Sequence, residues 1–385
     1  MTAENGQRDL DFLLLMEDYQ GSFTDAFRAD PALTSSSYAE SARQLFSRPI
    51  YYGDAYPDAL ATRGFRADQV VPTCHPLQYK WAREHRIWNP GEWMTRVPGT
   101  PSPVRLAWQL TDHQVLRRIL LKQIALRRPR IVWLFSGVPV TAAEVRAWRR
   151  HAEHILLWWS SPLRKEIPYR EFDLILSGIP SLIRHFREQG IRAEPLAHAF
   201  DPRILSRVTP AERRVRRVAF VGSLSPHHLD RVTFLDRLSR QVPVDLYGHG
   251  ERFLPRDSPL HRSFRGPAWG DDLYAVYGSH LIAVHRNIDV ADRSASAKRL
   301  FEATGMGACV VTEESDNLKE LFRPGEEIVT YSDLDDCIAK VEALLKEPER
   351  AAQIGKAGQT RTLADHTYGR RVEALVEVLR ASAFL

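Results

Sequence analysis

The amino-acid sequence predicts an α/β protein of two domains, each built around a mainly parallel β-sheet. Three observations support this. The chain has 385 residues, which is enough for two or three domains. Short apolar runs alternate with helical patterns over most of its length. These runs form two series, separated near residue 205 by a charged stretch that contains Pro202 and Pro210 and lacks apolar periodicity.

The first series predicts five strands in the N-terminal half. Each run is short and apolar, as expected of a strand buried on both faces. The runs are Phe12–Met16, Ile131–Phe135, His154–Trp159, Leu174–Ser177 and Glu194–Ala197. The stretch 90–103, which is rich in Pro, Gly and Trp, predicts a surface loop near a binding face.

The second series predicts five more strands, followed by helices at the C-terminal end. The strands are Val215–Gly222, Val244–Tyr247, Leu281–His285, Ala308–Thr312 and Glu327–Tyr331. From residue 348 onward, apolar residues recur at three- and four-residue spacing, which predicts helices. We therefore expect one domain over residues 1–205, a second over 206–365, and a final helix over 366–385 that packs back on the first domain.

Composition excludes several classes of protein. The apolar fraction is 44% and the charged fraction 26%, and no apolar run is long enough to span a bilayer. The polar N-terminal segment does not resemble a signal peptide, so a cytoplasmic location is expected. The three cysteines are widely separated, which indicates neither disulfides nor zinc. The net charge is only +5, and the basic residues are spread over the whole chain beside 48 acidic residues. No nucleic-acid partner is therefore expected.

The strongest local motif is helix, tight turn and strand, over residues 298–312. Glu302 lies among apolar neighbours on the predicted helix, where an unpaired carboxylate is costly. It therefore needs hydrogen-bond donors. The hydroxyls of a ribose and a salt bridge on the helix surface both satisfy this need, and the sequence leaves both open.

Two further motifs indicate ligand-binding loops. Asn317 and Glu320 have the spacing of a capping box, which predicts a helix start whose free N–H groups can bind an anion; simple capping is the alternative. Gly222 and Ser223 follow a strand directly, where a ligand can approach the backbone closely. His227 and His228 come soon after and are expected to be solvated rather than metal-bound.

The order of these motifs along the chain resembles bacterial glycosyltransferases of the GT-B fold, in the group described as spore-maturation-type or family-1-like. The N-terminal half resembles the same group, so the likeness covers nearly the whole chain. The stretches that carry it are Tyr56–Gly64, Pro76–Gln78 with Trp81 and Ala82, Leu196–Pro202, Val221–Ser223, Arg265–Gly270, Asn287–Val290, Arg299–Gly305, Asn317–Phe322 and His366–Tyr368.

The resemblance implies two Rossmann-like domains that face each other across a cleft. The second would hold a nucleotide-sugar donor and the first an acceptor. In that pattern Glu302 resembles the residue that binds the donor ribose, and Arg299 and Lys298 lie where basic residues meet the diphosphate. The remaining donor-binding positions are Asn317 and Leu318 at the phosphate-facing helix start, and Gly222 and Ser223 in the loop beside the sugar and phosphates.

The predicted function is transfer of a sugar from a nucleotide sugar to a hydroxyl of a glycan, lipid-linked or small-molecule acceptor. Arg299 and helix-terminal amides can stabilise the negative charge that develops on the leaving diphosphate, so neither a metal nor a cofactor is expected. Ser294 stands where related retaining enzymes carry a Glu, which leaves the stereochemistry open.

An inverting enzyme would need a general base, for which Asp54 and His113 are candidates, as are Glu17 and Asp18 after the first strand. A nucleotide-sugar epimerase and a non-catalytic sugar-binding protein are the alternatives. Peripheral contact with the inner face of a membrane is compatible with the basic charge.

Overall fold

The computed structural model describes residues 10–88, 102–224, 229–287 and 294–385. The chain divides into two compact units. The first contains the described residues up to Ser177, together with Leu182–Leu196 and Leu375–Leu385, and the second contains Gly178–Ser181 and Ala197–Ala374. Within the described residues, no helix is both long and apolar enough to cross a bilayer.

A six-stranded parallel sheet forms the centre of the first unit, in the order β2-β1-β3-β4-β5-β6. Its inner strands are fully buried apolar runs, which explains why the sequence identifies them. The strands are β1 Phe12–Leu15, β2 Ala67–Val70, β3 Ile131–Phe135, β4 His154–Trp158, β5 Leu174–Ser177 and β6 Ala193–Pro195.

Eight helices of the described residues accompany this sheet. Local caps begin several of them: the Ser37 side chain accepts the N–H of Glu40, and Thr141 and Glu144 form a reciprocal capping box. The helices are α1 Ser22–Ala29, α2 Pro31–Ser35, α3 Tyr38–Phe46, α4 Ala55–Ala61, α5 His75–Glu84, α6 Ser102–Arg127, α7 Ala142–Trp148 and α8 Pro180–Glu188, with 3-10 turns at Tyr19–Gly21 and Tyr169–Glu171.

The loop predicted for residues 90–103 lies outside the described residues except at its last two positions. There the prediction is wrong, because Ser102 and Pro103 already belong to α6.

The second unit is built on a five-stranded parallel sheet, in the order β11-β10-β9-β7-β8. Side chains of β7 alternate between its two faces, so Val218 and Phe220 enter one apolar cluster and Ala219 and Val221 the other. The strands are β7 Val215–Val221, β8 Val244–Tyr247, β9 His280–His285, β10 Cys309–Glu313 and β11 Val329–Tyr331.

Helices cover both faces of this second sheet. They are α9 Ile204–Arg207, α10 Leu229–Ser239, α11 Leu260–Ser263, α12 Asp271–Ser279, α13 Lys298–Gly305, α14 Leu318–Leu321, α15 Leu334–Lys346 and α16 Pro348–Asp365, with a 3-10 turn at Glu251–Phe253. The last helix, α17 Tyr368–Ala381, begins in the second unit and belongs to the first from Leu375 onward. The two parallel α/β sheets confirm the predicted fold class of two Rossmann-like domains.

Each sheet has a point where its strand order changes direction. In the first sheet, β1 lies between β2 and β3; in the second, β7 lies between β8 and β9. Ligands of open α/β sheets bind beyond the carboxyl ends of the strands at such a point. The topology therefore defines one candidate site in each unit, here named the β1/β3 crevice and the β7/β9 crevice.

Candidate functional site

The β7/β9 crevice is bordered by the loop after β7 and by the end of β9. Gly222 donates its N–H to the carbonyl of Tyr247 at 2.9 Å. Gly248, in the loop after β8, has a φ of 151°, and a Cβ at this position would overlap the carbonyl of Gly222. The two loops can approach each other only because Gly248 has no side chain. The predicted positions Gly222 and Ser223 thus lie at the edge of the crevice.

Arg231 on α10 points back to this loop. Its Nη1 donates to the carbonyl of Ser223 at 3.1 Å, and its guanidinium lies 6.0 Å from the ring centroid of Phe220. The sequence analysis did not single out Arg231. The structure therefore adds a cation beside Gly222 and Ser223.

His285, the last residue of β9, is a second residue that the sequence analysis missed as a site residue. Its Nδ1 lies 3.1 Å from Oγ1 of Thr312, and its carbonyl accepts the hydroxyl of Tyr331 at 3.1 Å. Burial, and then the charges of Arg231 and Arg299, lower the pKa of His285 to about 3. The imidazole is therefore neutral at physiological pH and can accept or donate a hydrogen bond.

A buried ion triad occupies the start of α13. Glu302, with 1% of its side chain exposed, accepts Lys298 Nζ at 2.5 Å and Arg299 Nη1 at 2.7 Å. The Tyr274 hydroxyl donates to Oε1 of Glu302 at 3.4 Å. Helical spacing explains the arrangement, because residues three and four apart lie on the same side of a helix.

The triad carries one net positive charge, from two cations and one carboxylate. Burial alone would raise the pKa of Glu302, but the charges of Arg299 and Lys298 outweigh it and lower the pKa to about 2. Burial lowers the pKa of the Lys298 ammonium, and Glu302 opposes that shift. Both carboxylate oxygens have partners within the chain, as the salt-bridge alternative requires.

Arg299 reaches from the triad toward an aromatic side chain. Its guanidinium lies 6.0 Å from the ring centroid of Trp269, which is partly exposed, and the ring of His249 lies 6.4 Å from that of Trp269. Trp269 belongs to a stretch that the sequence analysis used only for the resemblance. The structure makes it a candidate stacking surface beside a cation.

The structure corrects the predicted capping role of Asn317 at the start of α14. Helix α14 is a single turn, and the Asn317 side chain does not cap it. Instead, Asn317 accepts the N–H of Ala295 at 2.7 Å and donates to the carbonyl of the same residue at 3.1 Å. Leu318 is buried, and its N–H donates to the carbonyl of Ser315. Asn317 therefore holds the segment before α13 in place instead of capping α14.

The two candidate bases occupy separate elements of the first unit. Asp54 directly precedes α4, and His113 is exposed on α6. Its neighbour Asp112 accepts the hydroxyl of Tyr79 and lies 3.4 Å from Nδ1 of His75, so it joins α6 to α5. No contact within the described residues joins Asp54 to His113.

Acidic residues that could suggest a metal site have structural partners. Asp333 and Asp335 form an Asp-x-Asp triplet, but Asp333 caps α15 and Asp335 pairs with Arg237. Asp271 pairs with Arg207. In the described part of the chain, no three His, Cys, Asp or Glu side chains lie together as metal ligands. His227 and His228 fall outside it.

Two parallel α/β units, each with a switch point at its carboxyl edge, agree with the GT-B class of protein. The class is supported by sequence as well, because residues 231–377 match the family described as "Glycosyl transferase-like". This range contains Arg231, His285 and the whole triad. Residues 231–377 are thus similar to a glycosyltransferase-like family, and the fold is that of the GT-B class, in agreement with the resemblance seen in the sequence.

Solved structures share this fold over nearly the whole chain. HepE of Anabaena, in complex with UDP-glucose, has a TM-score of 0.56 and 12% identity over 97% of this chain and 100% of that one. A glycosyltransferase from Rickettsia africae has a TM-score of 0.56 and 12% identity, over 97% and 98%. The trehalose-6-phosphate phosphatase N-terminal domain of Candida albicans has a TM-score of 0.51 and 11% identity, over 99% and 98%. No curated protein sequence matches the chain.

Proposed function

We propose that the chain transfers a sugar from a nucleoside-diphosphate sugar to a hydroxyl acceptor and binds the donor in the β7/β9 crevice. The observation that carries this proposal is the pair of cations, Lys298 and Arg299, held by a buried carboxylate beside the carboxyl end of β9. HepE, which shares the fold, is known in complex with UDP-glucose, and this supports the donor class.

The electrostatics of the crevice suit a leaving group that gains negative charge. When the bond between the sugar and the diphosphate breaks, Arg299 and Arg231 would stabilise the developing charge more than that of the bound donor. Neutral His285 would add a hydrogen bond. Because Glu302 already fixes Arg299, little reorganisation is needed during the reaction. We therefore propose that the reaction does not require a metal ion.

Glu302 has a different role in this proposal from the one that the resemblance implies. Its carboxylate is buried and partnered, so we assign it to the positioning of Lys298 and Arg299. Trp269 offers a ring face to the nucleobase, with Arg299 between the base and the diphosphate.

The same proposal includes a binding site for the acceptor. We propose that the first unit binds the acceptor, a hydroxyl of a glycan, a lipid-linked sugar or a small molecule. A lipid-linked acceptor would be met at the inner face of a membrane, where the basic charge of the protein favours peripheral contact.

A melting-temperature screen against UDP, GDP, dTDP, CMP and their sugars tests the donor site. A ligand that binds only the folded protein raises its melting temperature. We expect one nucleoside diphosphate to do so, with EDTA making no difference and Arg299→Met weakening the shift. Arg256→Met, at an exposed position of the same unit, is the matched control. A shift that disappears with EDTA would overturn metal independence, and no shift from any nucleotide would overturn the donor site.

Product analysis then separates transfer from the other reactions of a nucleotide sugar. A transferase forms a glycosylated acceptor together with the free nucleoside diphosphate. An epimerase would instead release or rearrange the sugar without an acceptor, and a binding protein would leave the donor intact.

A further inference from the structure

Helix α6 of the first unit carries an excess of basic residues. Between Asp112 and Glu144 the sequence contains six arginine or lysine residues and no acidic residue. Three of the six have a carboxylate partner. These pairs are Arg117–Glu144 at 3.0 Å, Arg127–Asp68 at 2.8 Å and Arg130–Glu153 at 3.0 Å. The other three, Arg118, Lys122 and Arg128, are exposed, and no carboxylate of the described residues lies within ion-pair distance of them.

The side chains of α6 divide between a buried side and an outward side. The buried residues are Val115, Ile119, Leu120, Gln123 and Ile124. Residues on the outward side recur at the three- and four-residue spacing that places side chains on one side of a helix. They are Gln114, Arg118, Leu121, Lys122, Ala125 and Leu126, all exposed or partly exposed, and are here named the basic face of α6.

Apolar side chains lie among the cations of this face. Leu126 is 51% exposed, and Leu121 is partly exposed. Lys122 lies one helical turn before Leu126, so its alkyl stem can follow the leucine while its ammonium group points away from the helix. Apolar surface that is exposed to water gains free energy when a partner covers it. The basic face of α6 therefore offers positive charge and apolar surface to the same partner.

This combination favours a lipid surface over a nucleic acid. A bilayer with anionic lipid presents negative headgroups at its surface and acyl chains directly beneath them, so cations and leucines are both stabilised there. A nucleic acid satisfies the cations through its phosphates, and its binding sites add aromatic side chains on which bases stack. The basic face of α6 contains no aromatic residue.

We propose that the basic face of α6 is a docking surface for a bilayer that contains anionic lipid. Arg118, Lys122 and Arg128, which directly follows the helix, would lie at the level of the headgroups. Leu121 and Leu126 would reach the boundary of the acyl chains. The proposed function includes peripheral membrane contact on the ground of net charge alone, and this inference assigns that contact to particular residues. It rests on the proposed function only for the role of docking in reaching a lipid-linked acceptor.

Vesicle flotation with the full chain tests the docking. The probes are vesicles of phosphatidylcholine and vesicles that also contain about one quarter phosphatidylglycerol. We expect the native chain to float only with the anionic vesicles, and less of it to float as the salt concentration rises. Combining Arg118→Gln with Lys122→Gln should weaken this binding about 25-fold, because each cation near an anionic surface contributes about fivefold. Leu126→Gln should weaken it as well.

The matched control combines Arg28→Gln on α1 with Arg184→Gln on α8, which removes the same charge from exposed positions of the same unit. It should float as the native chain does. An equal loss in both double variants would show that net charge governs binding, and would overturn the inference. So would native-like binding by the α6 double variant, equal binding to neutral vesicles, or no binding by the native chain. Tighter binding to a DNA duplex than to the anionic vesicles in a competition assay would assign the face to nucleic acid and would also overturn it.

Two companion measurements separate the possible failures. Without vesicles, the α6 double variant should melt at the same temperature as the control, because glutamine, arginine and lysine have similar helix propensities. A lower melting temperature together with lost flotation would assign these cations to stability and overturn the inference. The nucleoside diphosphate should raise the melting temperature of the native chain and of the variant equally. Nucleotide binding without vesicle binding would overturn the inference and leave the donor site standing, and vesicle binding without nucleotide binding would do the reverse.

Discussion

Replacing Glu302 by Gln should strongly destabilise the second unit, because Lys298 and Arg299 would lose their anion in a buried setting. The magnitude follows from the pKa of Glu302, which falls from its ordinary 4.5 to about 2. That difference corresponds to about 3 kcal/mol of stability at neutral pH, within the range observed when one partner of a buried pair is removed. Lys298 is 11% exposed and Arg299 25%, so solvent screens the triad little.

Urea unfolding followed by tryptophan fluorescence measures this loss. The lowered pKa means that the triad's contribution is fully present above pH 4.5 and disappears as the pH falls toward about 2. The difference between Glu302→Gln and the native chain should therefore persist from pH 7 to pH 5 and shrink below that. Adding Lys298→Met should recover part of the loss, because it removes one stranded charge. A difference at pH 7 of less than about 0.5 kcal/mol would refute the reasoning.

Three further predictions concern the β7/β9 crevice. Arg299→Met should weaken nucleoside-diphosphate binding, measured by calorimetry, about tenfold. The control Arg256→Met should bind as the native chain does, and unchanged affinity in Arg299→Met would show that Arg299 is not part of the site. Gly248→Ala should lower the melting temperature more than Gly64→Ala, because both have positive φ but only the first meets another backbone; equal losses would contradict the close approach. The lowered pKa of His285 means that the native chain loses stability as the pH falls from 6.5 toward about 3. His285→Gln should lose less between pH 7 and pH 5 in urea titrations, and an identical loss would show that the pKa of His285 is not lowered in the folded chain.

Sequence patterns identified ten of the eleven strands because those strands are mostly continuous apolar runs. The exception, Ala67–Val70, contains Asp68 and Gln69 and forms an edge of the first sheet. Its pairing with β1 is a tertiary contact that the local sequence does not predict. This strand was missed because its polar residues interrupt the apolar run, whereas its partner β1 is apolar throughout.

The candidate site was predictable in part. Glu302 was recognisable as a carboxylate in an apolar setting, and its helical spacing to Lys298 and Arg299 was visible in the sequence. The capping role of Asn317 was wrong, because its partner Ala295 is distant in sequence and only the fold brings the two together. His285 could have been found by asking which residue ends the strand at the switch point, but this required the strand order. Arg231 lies on α10 and carries no such signal.

A crystal structure of the chain with the nucleoside diphosphate that most raises its melting temperature tests the central claim most directly. We predict phosphate oxygens within hydrogen-bond distance of the Arg299 guanidinium, beyond the carboxyl ends of β7 and β9. The Glu302 carboxylate should remain bound to Lys298 and Arg299. A nucleotide bound elsewhere, or one whose ribose displaces both cations from Glu302, would contradict this account of the site.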